Sequence, residues 1–178
     1  MTAPLYKVTL TNGVPATAAD DGDVATLSNF TPRKVQLVPS ISVTTIVAND
    51  VLAASEIWTG VCAVTDQGCT LRQLNVNLLD RTAGVGLQVV LLDTNVGIGA
   101  ESAAFSVADA DAIKIIDIIT LVASDFTTVG AGCIARLRNL NIPITPVATS
   151  KDIYVGVVTV DGTTFGAVTD VVLTGYFE

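Results

Sequence analysis

The feature that most constrains the fold is a strict alternation of apolar and polar residues within residues 71–93. Three aliphatic residues alternate there with three amides: Leu74, Val76 and Leu78 with Gln73, Asn75 and Asn77. A period of two indicates a strand with one buried face and one face in contact with solvent. A glycine-containing break separates this strand from a second apolar run, residues 87–92. The pattern predicts a β-hairpin built from the two strands.

Runs of β-branched and aliphatic residues predict further strands on both sides of this hairpin. They are residues 41–47, 53–64, 125–129, 132–138, 153–160 and 171–177. Residues 115–122 are either a buried strand or the end of a short helix that Ser106 caps. Residues 139–149 contain two prolines and are predicted as a loop. Asp161-Gly162, between two strand-like runs, is typical of a hairpin turn.

About eight short strands with one short helix predict an all-β fold, either an antiparallel β-sandwich or a jelly roll. Residues 37–178 are predicted to form this domain. Residues 1–36 differ from it, since they hold Pro4, Pro15 and Pro32 and an acidic turn at residues 20–23. Proline at these intervals disfavours a helix, so we predict an extended N-terminal arm.

The arm carries apolar residues that are too sparse to form a core of their own. A floppy tail is the alternative, but the presence of these apolar side chains favours a segment that lies against a neighbouring subunit. The predicted partner contacts are Tyr6, Val8, Leu10, Leu27 and Phe30. A chain that begins near Val35 is expected to fold normally but to lose part of its binding or self-association.

Composition limits the class of partner. The net charge is −8, and Lys and Arg together number only 9, so the chain is a poor candidate for binding nucleic acid, whose phosphates demand a basic footprint. Charged residues make up 15 % of the chain, below the roughly 25 % of ordinary soluble domains. This low fraction indicates either a surface partly covered by a partner or a compact sandwich with a neutral surface.

No stretch resembles a membrane span or a signal peptide. The most apolar stretch, residues 113–123, is interrupted by Lys114, Asp117 and Thr120 and is shorter than the ~20 residues that cross a bilayer. Residues 1–10 lack the charged start and apolar centre of a signal peptide. We therefore expect no membrane partner and synthesis in a cytoplasm.

The three cysteines, Cys62, Cys69 and Cys133, are too few for a disulfide framework. A hairpin turn centred on residues 65–68 would pair Val64 with Cys69 and leave Cys62 elsewhere. The sequence therefore predicts three reduced thiols that act as small hydrophobic residues.

The residues of common catalytic and metal sites are absent or scattered. The chain contains no histidine, which removes the commonest general base and metal ligand. Two acidic clusters, residues 20–23 and 109–111, do not match a calcium loop and are better explained as a solvated turn and a helix start. The glycine pairs at residues 84–86, 97–99 and 130–132 are predicted turns, and Trp58 is predicted as a core or interface aromatic. We expect no catalytic residues, no metal site, no cofactor and no enzymatic activity.

Residues 50–177 carry a set of segments with a recognisable pattern. They are Leu78-Leu79-Asp80, Leu92-Asp93-Thr94-Asn95, Ala100-Glu101-Ser102-Ala103-Ala104 and Ala108-Asp109-Ala110-Asp111. This pattern resembles a family of decoration, or cement, proteins of tailed bacteriophages, although Ala100 stands where that pattern has glycine. Residues 50–57 and Ile153-Tyr154-Val155-Gly156 are also similar.

The resemblance implies a β-sandwich that binds the outer face of a phage head and clamps neighbouring major capsid subunits. The partner is then the major capsid protein, the protein is made in the host cytoplasm, and its final place is the outer surface of the virion. We also expect self-association, with a trimer favoured and a dimer as the alternative. A receptor-binding or carbohydrate-binding β-sandwich of a phage fibre or tail is the second hypothesis.

Overall fold

A computed structural model describes residues 32–65 and 67–178, together with the backbone of two short strands nearer the N-terminus. The chain divides into two units, Met1–Thr31 and Pro32–Glu178. In the first unit, β1 (Val8–Thr9) pairs antiparallel with β2 (Pro15–Ala16), Val8 lying opposite Ala16. Tyr6, Leu10, Leu27 and Phe30 lie outside the described residues, and only the backbone of Val8 is described. Their predicted contacts therefore remain predictions.

The second unit is an antiparallel β-sandwich, which confirms the predicted all-β class. It contains nine strands: β3 (Arg33–Leu37), β4 (Val51–Trp58), β5 (Cys69–Leu78), β6 (Leu87–Leu92), β7 (Ile115–Leu121), β8 (Phe126–Val129), β9 (Gly132–Ile144), β10 (Ile153–Thr159) and β11 (Val171–Phe177). Its helical content among the described residues is two 3₁₀ turns, η1 (Ala112–Lys114) and η2 (Ala123–Asp125).

The strand order is that of a jelly roll with one added strand. One sheet has the order β4-β10-β6-β7, and the other has the order β3-β11-β5-β9-β8. Apart from β6 to β7 and β8 to β9, each strand is followed by one in the opposite sheet. Such crossing connections interleave two Greek keys, and β8 extends the eight-strand pattern at the edge beyond β9.

The crossing connections overturn two predicted hairpins. β5 lies in the five-stranded sheet and β6 in the four-stranded sheet, so residues 71–93 are not a hairpin. β10 and β11, which flank Asp161-Gly162, also lie in different sheets and therefore do not form the predicted hairpin. Both predictions placed the strands correctly and their pairing wrongly, because a turn residue specifies a local bend but not the sheet that the next strand joins.

The core lies between the two sheets, and the predicted register of β5 is confirmed. Leu74, Val76 and Leu78 are at most 1 % exposed and point into the core. Trp58 on β4 and Phe177 on β11 meet edge to face across the sandwich, with ring centroids 5.4 Å apart. Burial of these aromatic rings fixes the two sheets against each other.

Three further local predictions need correction. Residues 41–47 are not a strand, since Ile41, Ser42 and Ile46 send their backbone N–H groups to three separate segments: Val168, Leu52 and Thr163. Residues 139–144 continue β9 rather than forming a loop. Proline fits at position 143 because β8 pairs only with the first part of β9, so no strand needs its missing N–H.

The predicted helix after Ser106 is also wrong. The only helical residues of this region are those of η1, and the Ser106 N–H donates to the carbonyl of Ile98 instead of entering a helix. Residues 115–121 are the strand β7, which resolves the alternative in favour of a strand. The predicted strand 125–129 begins one residue too early, and β8 and β9 form a hairpin that turns at Gly130, whose φ is 64°.

The prediction of three reduced thiols is wrong as well. Cys62 and Cys69 form a disulfide, with Cα atoms 5.4 Å apart, and Cys133 is a buried free thiol. The predicted hairpin between Val64 and Cys69 does not form, because residues 59–68 pass from the four-stranded to the five-stranded sheet. A crossing connection has no strand register, so nothing forces Val64 to face Cys69.

Candidate interaction surfaces

The outer face of the four-stranded sheet is covered by the chain itself. The β6–β7 connection, residues 93–111, folds back over the sheet and forms a second apolar cluster with it. The buried members are Val51, Val90, Leu92, Val96, Ile98 and Val158, and the partly buried ones are Phe105, Val107, Ile115 and Tyr154. Burial of aliphatic side chains on this side makes the sheet apolar on both faces.

Backbone hydrogen bonds hold the connection in place. The N–H of Val51, at the start of β4, donates to the carbonyl of Ala103, and the N–H of Ser102 donates to the carbonyl of Val51, both at 2.8 Å. The Ser102 hydroxyl lies 3.0 Å from that of Ser42 and 2.9 Å from that of Thr44. The two backbone bonds pair the first residue of β4 with the connection, so the start of this edge strand is not left open.

Gly156 on β10 makes room for the connection. A methyl group built on its Cα would overlap Cδ1 of Ile98, whose side chain is fully buried. The glycine is therefore required by close packing and not by an unusual backbone angle. The resemblance noted above includes Gly156 and most of residues 92–111, so part of its residues meet where this layer packs on the sheet, whereas Leu78-Leu79-Asp80 lies at the end of β5 in the other sheet.

The outer face of the five-stranded sheet has no such cover within the described residues of the domain. Gln73, Asn75 and Asn77 point outward from the central strand β5 and are half-buried. Arg136 lies opposite Asn75, and Arg138 lies opposite Gln73. Residues opposite each other on antiparallel strands share a face, so amides and guanidinium groups form one polar surface.

This surface is basic although the chain is acidic. The five strands of the sheet contain no aspartate or glutamate, but they hold five of the nine cationic residues: Arg33, Lys34, Arg72, Arg136 and Arg138. Arg33 lies opposite Phe177 and therefore shares the inward-facing side of the sheet, so it does not belong to the outer surface. Arg72 pairs with Glu178 at 2.7 Å, the one ion pair among residues 32–65 and 67–178. Lys34, Arg136 and Arg138 are exposed and make no ion pair within this part of the chain.

A groove interrupts the basic surface where β5 ends and β8 turns into β9. It encloses about 350 Å³ and is lined by Asn77, Leu79, Val129, Ile134 and Arg136, among others. A second depression of about 260 Å³ lies beside it, and Val129, Ile134 and Arg136 line both. Leu79 is 52 % exposed and Val129 60 % exposed, so the groove presents aliphatic side chains beside a guanidinium group.

The other residues that the sequence analysis considered as possible sites either have structural roles or lie outside the described residues. Trp58 is fully buried against Phe177 and cannot stack on a sugar. Gly84 is packed so closely that a methyl group would overlap Phe126, as expected for a tight turn. Asp109 and Asp111 belong to a short turn, and no group of three metal-binding side chains forms in the described part of the chain. Asp20, Asp21 and Asp23 lie outside the residues that the structure describes.

Cys133 lies under the groove as an isolated thiol. Burial raises the pKa of this thiol, and the nearby positive charge of Arg81 opposes part of that rise. The guanidinium group of Arg81 is itself engaged, since it donates to the hydroxyl of Thr163 and lies 5.1 Å from the ring centroid of Phe165. A buried thiol that stays protonated is a poor nucleophile, which fits a packing role.

The sequence did not reveal the basic surface, because the cationic residues come from strands far apart along the chain. The absence of aspartate and glutamate from these five strands is visible in the sequence, but it indicates a basic surface only when the strands are known to form one sheet. Within the described residues, no helix is long and apolar enough to cross a membrane. Comparison with protein-family models, with curated proteins and with solved structures finds no match to this chain.

Proposed function

We propose that the protein is a structural component of a virion, which binds the outer surface of a tailed-phage head and stabilises contacts between major capsid subunits. The observation that carries the proposal is the layer formed by residues 92–111. Three of the segments that resemble decoration proteins, residues 92–95, 100–104 and 108–111, lie in this layer, where they close one face of the sandwich. In such a sandwich one outer face is covered by the chain itself and the other is polar and uncovered, which suits a protein that binds a surface through one side.

The low charge supports the same proposal. Charged residues are 15 % of the chain, and exposed aliphatic side chains such as Val129, Leu79 and Ile113 lie outside the core. Each alone is ordinary for a soluble protein, but Val129 and Leu79 line one groove, and such grouping is typical of a surface that meets another protein. We infer no catalytic residues, cofactor or nucleic-acid partner for this role.

The copy number per particle tests the proposal. Purified particles of the phage that encodes the chain are digested, and peptides of this chain and of the major capsid protein are quantified against isotope-labelled standards. A decoration protein is expected in numbers comparable to the capsid subunit. A receptor-binding or carbohydrate-binding module of a fibre or tail, the alternative, is expected in few copies. Absence from the particles would overturn both.

The predicted arm offers a second test. A chain that begins at Pro32 retains all nine strands of the domain and is expected to keep the thermal unfolding midpoint of the full chain. Its binding to heads stripped of the protein should be much weaker, because the predicted contacts of Tyr6, Leu10 and Phe30 are removed. Unchanged binding and unchanged self-association would show that the first 31 residues are only a tail.

A further inference from the structure

The domain is electrically polar between its two sheets. The strands of the five-stranded sheet carry five cationic and no acidic residues. The β6–β7 connection and β7, over residues 93–117, carry five acidic residues and one lysine: Asp93, Glu101, Asp109, Asp111 and Asp117, with Lys114. Asp93 has a buried carboxylate oxygen and Asp117 lies opposite the core residue Leu91, so the acidic surface consists of Glu101, Asp109 and Asp111. The basic surface and the acidic surface therefore belong to different sheets of the same domain.

Each surface also carries a complementary apolar feature. Ile113 is 81 % exposed, the highest value among the large aliphatic residues that the structure describes. It projects from the turn around η1, which is fixed by bonds from the N–H groups of Asp111 and Ala112 to the carbonyl of Ala108. Asp109 and Asp111 lie within four residues of it. An exposed isoleucine flanked by carboxylates is thus held on a short, internally bonded turn.

The groove on the basic surface is complementary to this turn, since it combines aliphatic walls with a guanidinium group. Its walls include Leu79, Val129 and Ile134, and Arg136 stands at its side without an ion pair in the described chain. An aliphatic side chain that enters such a groove loses contact with water, and an accompanying carboxylate gains a charge-assisted hydrogen bond from a guanidinium group.

We infer that the occupant of the groove is a second copy of this chain, whose Ile113 enters the groove while Asp109 and Asp111 face Arg136 and Arg138. The contact joins two different surfaces and is therefore head to tail. Such contacts close into a ring if the rotation between copies allows it and otherwise extend. This inference goes beyond the virion role and does not depend on it, because it concerns the purified chain alone.

A charge-exchange experiment tests the contact. One variant carries Arg136→Glu and Arg138→Glu, and the other carries Asp109→Arg and Asp111→Arg. In each variant alone, both surfaces have the same sign, so sedimentation should show self-association weakened at least about tenfold. In an equal mixture, the surfaces are complementary again and association should return. Wild-type association should weaken between about 0.05 M and about 0.5 M NaCl.

The apolar part has its own variant. Ile113→Thr should weaken association, whereas Val47→Thr should not, since Val47 is 61 % exposed on a different loop. Circular dichroism and thermal unfolding verify that all variants keep the fold. A wild-type chain that stays monomeric at all concentrations, a mixture that stays dissociated, or equal effects of the two threonine variants would each overturn the inference. Particle copy number is measured separately, so failure of one proposal is distinguishable from failure of the other.

Discussion

The two outer faces of the sandwich differ in how the chain treats them. On the four-stranded sheet, residues 93–111 cover the face and bury a second apolar cluster. On the five-stranded sheet, amides and arginines remain at the surface. The central strands of the first sheet are therefore buried on both sides, although Ile57 on β4 and Ile118 on β7 remain 46 % and 37 % exposed. The other sheet has the one-sided burial usual for antiparallel sheets.

The difference can be read from the central strands. β5 alternates between apolar and amide residues because only one of its faces is buried. β6 reads Leu87-Gln88-Val89-Val90-Leu91-Leu92 and is almost continuously apolar, because both of its faces are buried. A continuous apolar run in an antiparallel sheet thus indicates that some other segment lies over its outer face.

The largest expected effects compare neighbouring residues on the two central strands. On β6, Leu91 and Leu92 point to opposite faces and are both fully buried. Leu91→Ala and Leu92→Ala should each lower the free energy of unfolding by about 2 to 5 kcal/mol, measured by denaturant titration. A small loss for Leu92→Ala would show that the connection covers the sheet only loosely.

On β5, the same comparison should give an unequal result. Leu78 is buried in the main core, so Leu78→Ala should cost about 2 to 5 kcal/mol. Asn77 points outward, and Asn77→Ala should change stability by no more than about 0.5 kcal/mol. Reversed costs in the same titrations would overturn the assignment of the two faces.

The disulfide should contribute an intermediate amount. Cys62 and Cys69 are separated by 7 positions in sequence, and closing so short a loop stabilises the fold by roughly 2 kcal/mol through the unfolded chain. Reduction should lower the unfolding midpoint accordingly. Alkylation of the unfolded, unreduced chain should add one label, at Cys133, and reduction should raise the number to three. Three labels without reduction would exclude the disulfide.

An effect similar in size to that of the disulfide concerns the fit between the connection and the sheet. Gly156→Ala should cost about 1 to 3 kcal/mol because the added methyl group overlaps Ile98. Gly97→Ala is the matched control, since a methyl group there meets nothing within 4 Å. The double variant with Ile98→Ala should show that the two costs are not additive, because each relieves the other. Full additivity would contradict the contact.

Sequence patterns predicted the fold class, the register of β5 and two strands on either side of the turn at Gly130. It failed at the connections, because Asp161-Gly162 and the glycines after β5 specify bends and not sheets. It also failed at Ser106, where packing of Phe105 and Val107 on the sheet overrides a capping preference. The basic surface could not be predicted, since it requires Arg136 and Asn75 to be neighbours although they are distant in sequence.

Thiol labelling of outward positions on the two sheets tests the contrast between the closed and the open face most directly. In a chain with Cys133→Ala, a cysteine is introduced as Asn75→Cys on β5 or as Val90→Cys on β6. The cysteine at position 75 should react freely in the folded protein. The one at position 90 should react at least about a hundredfold more slowly, since it becomes accessible only when the covering connection opens. Equal labelling rates would contradict the difference between the two faces.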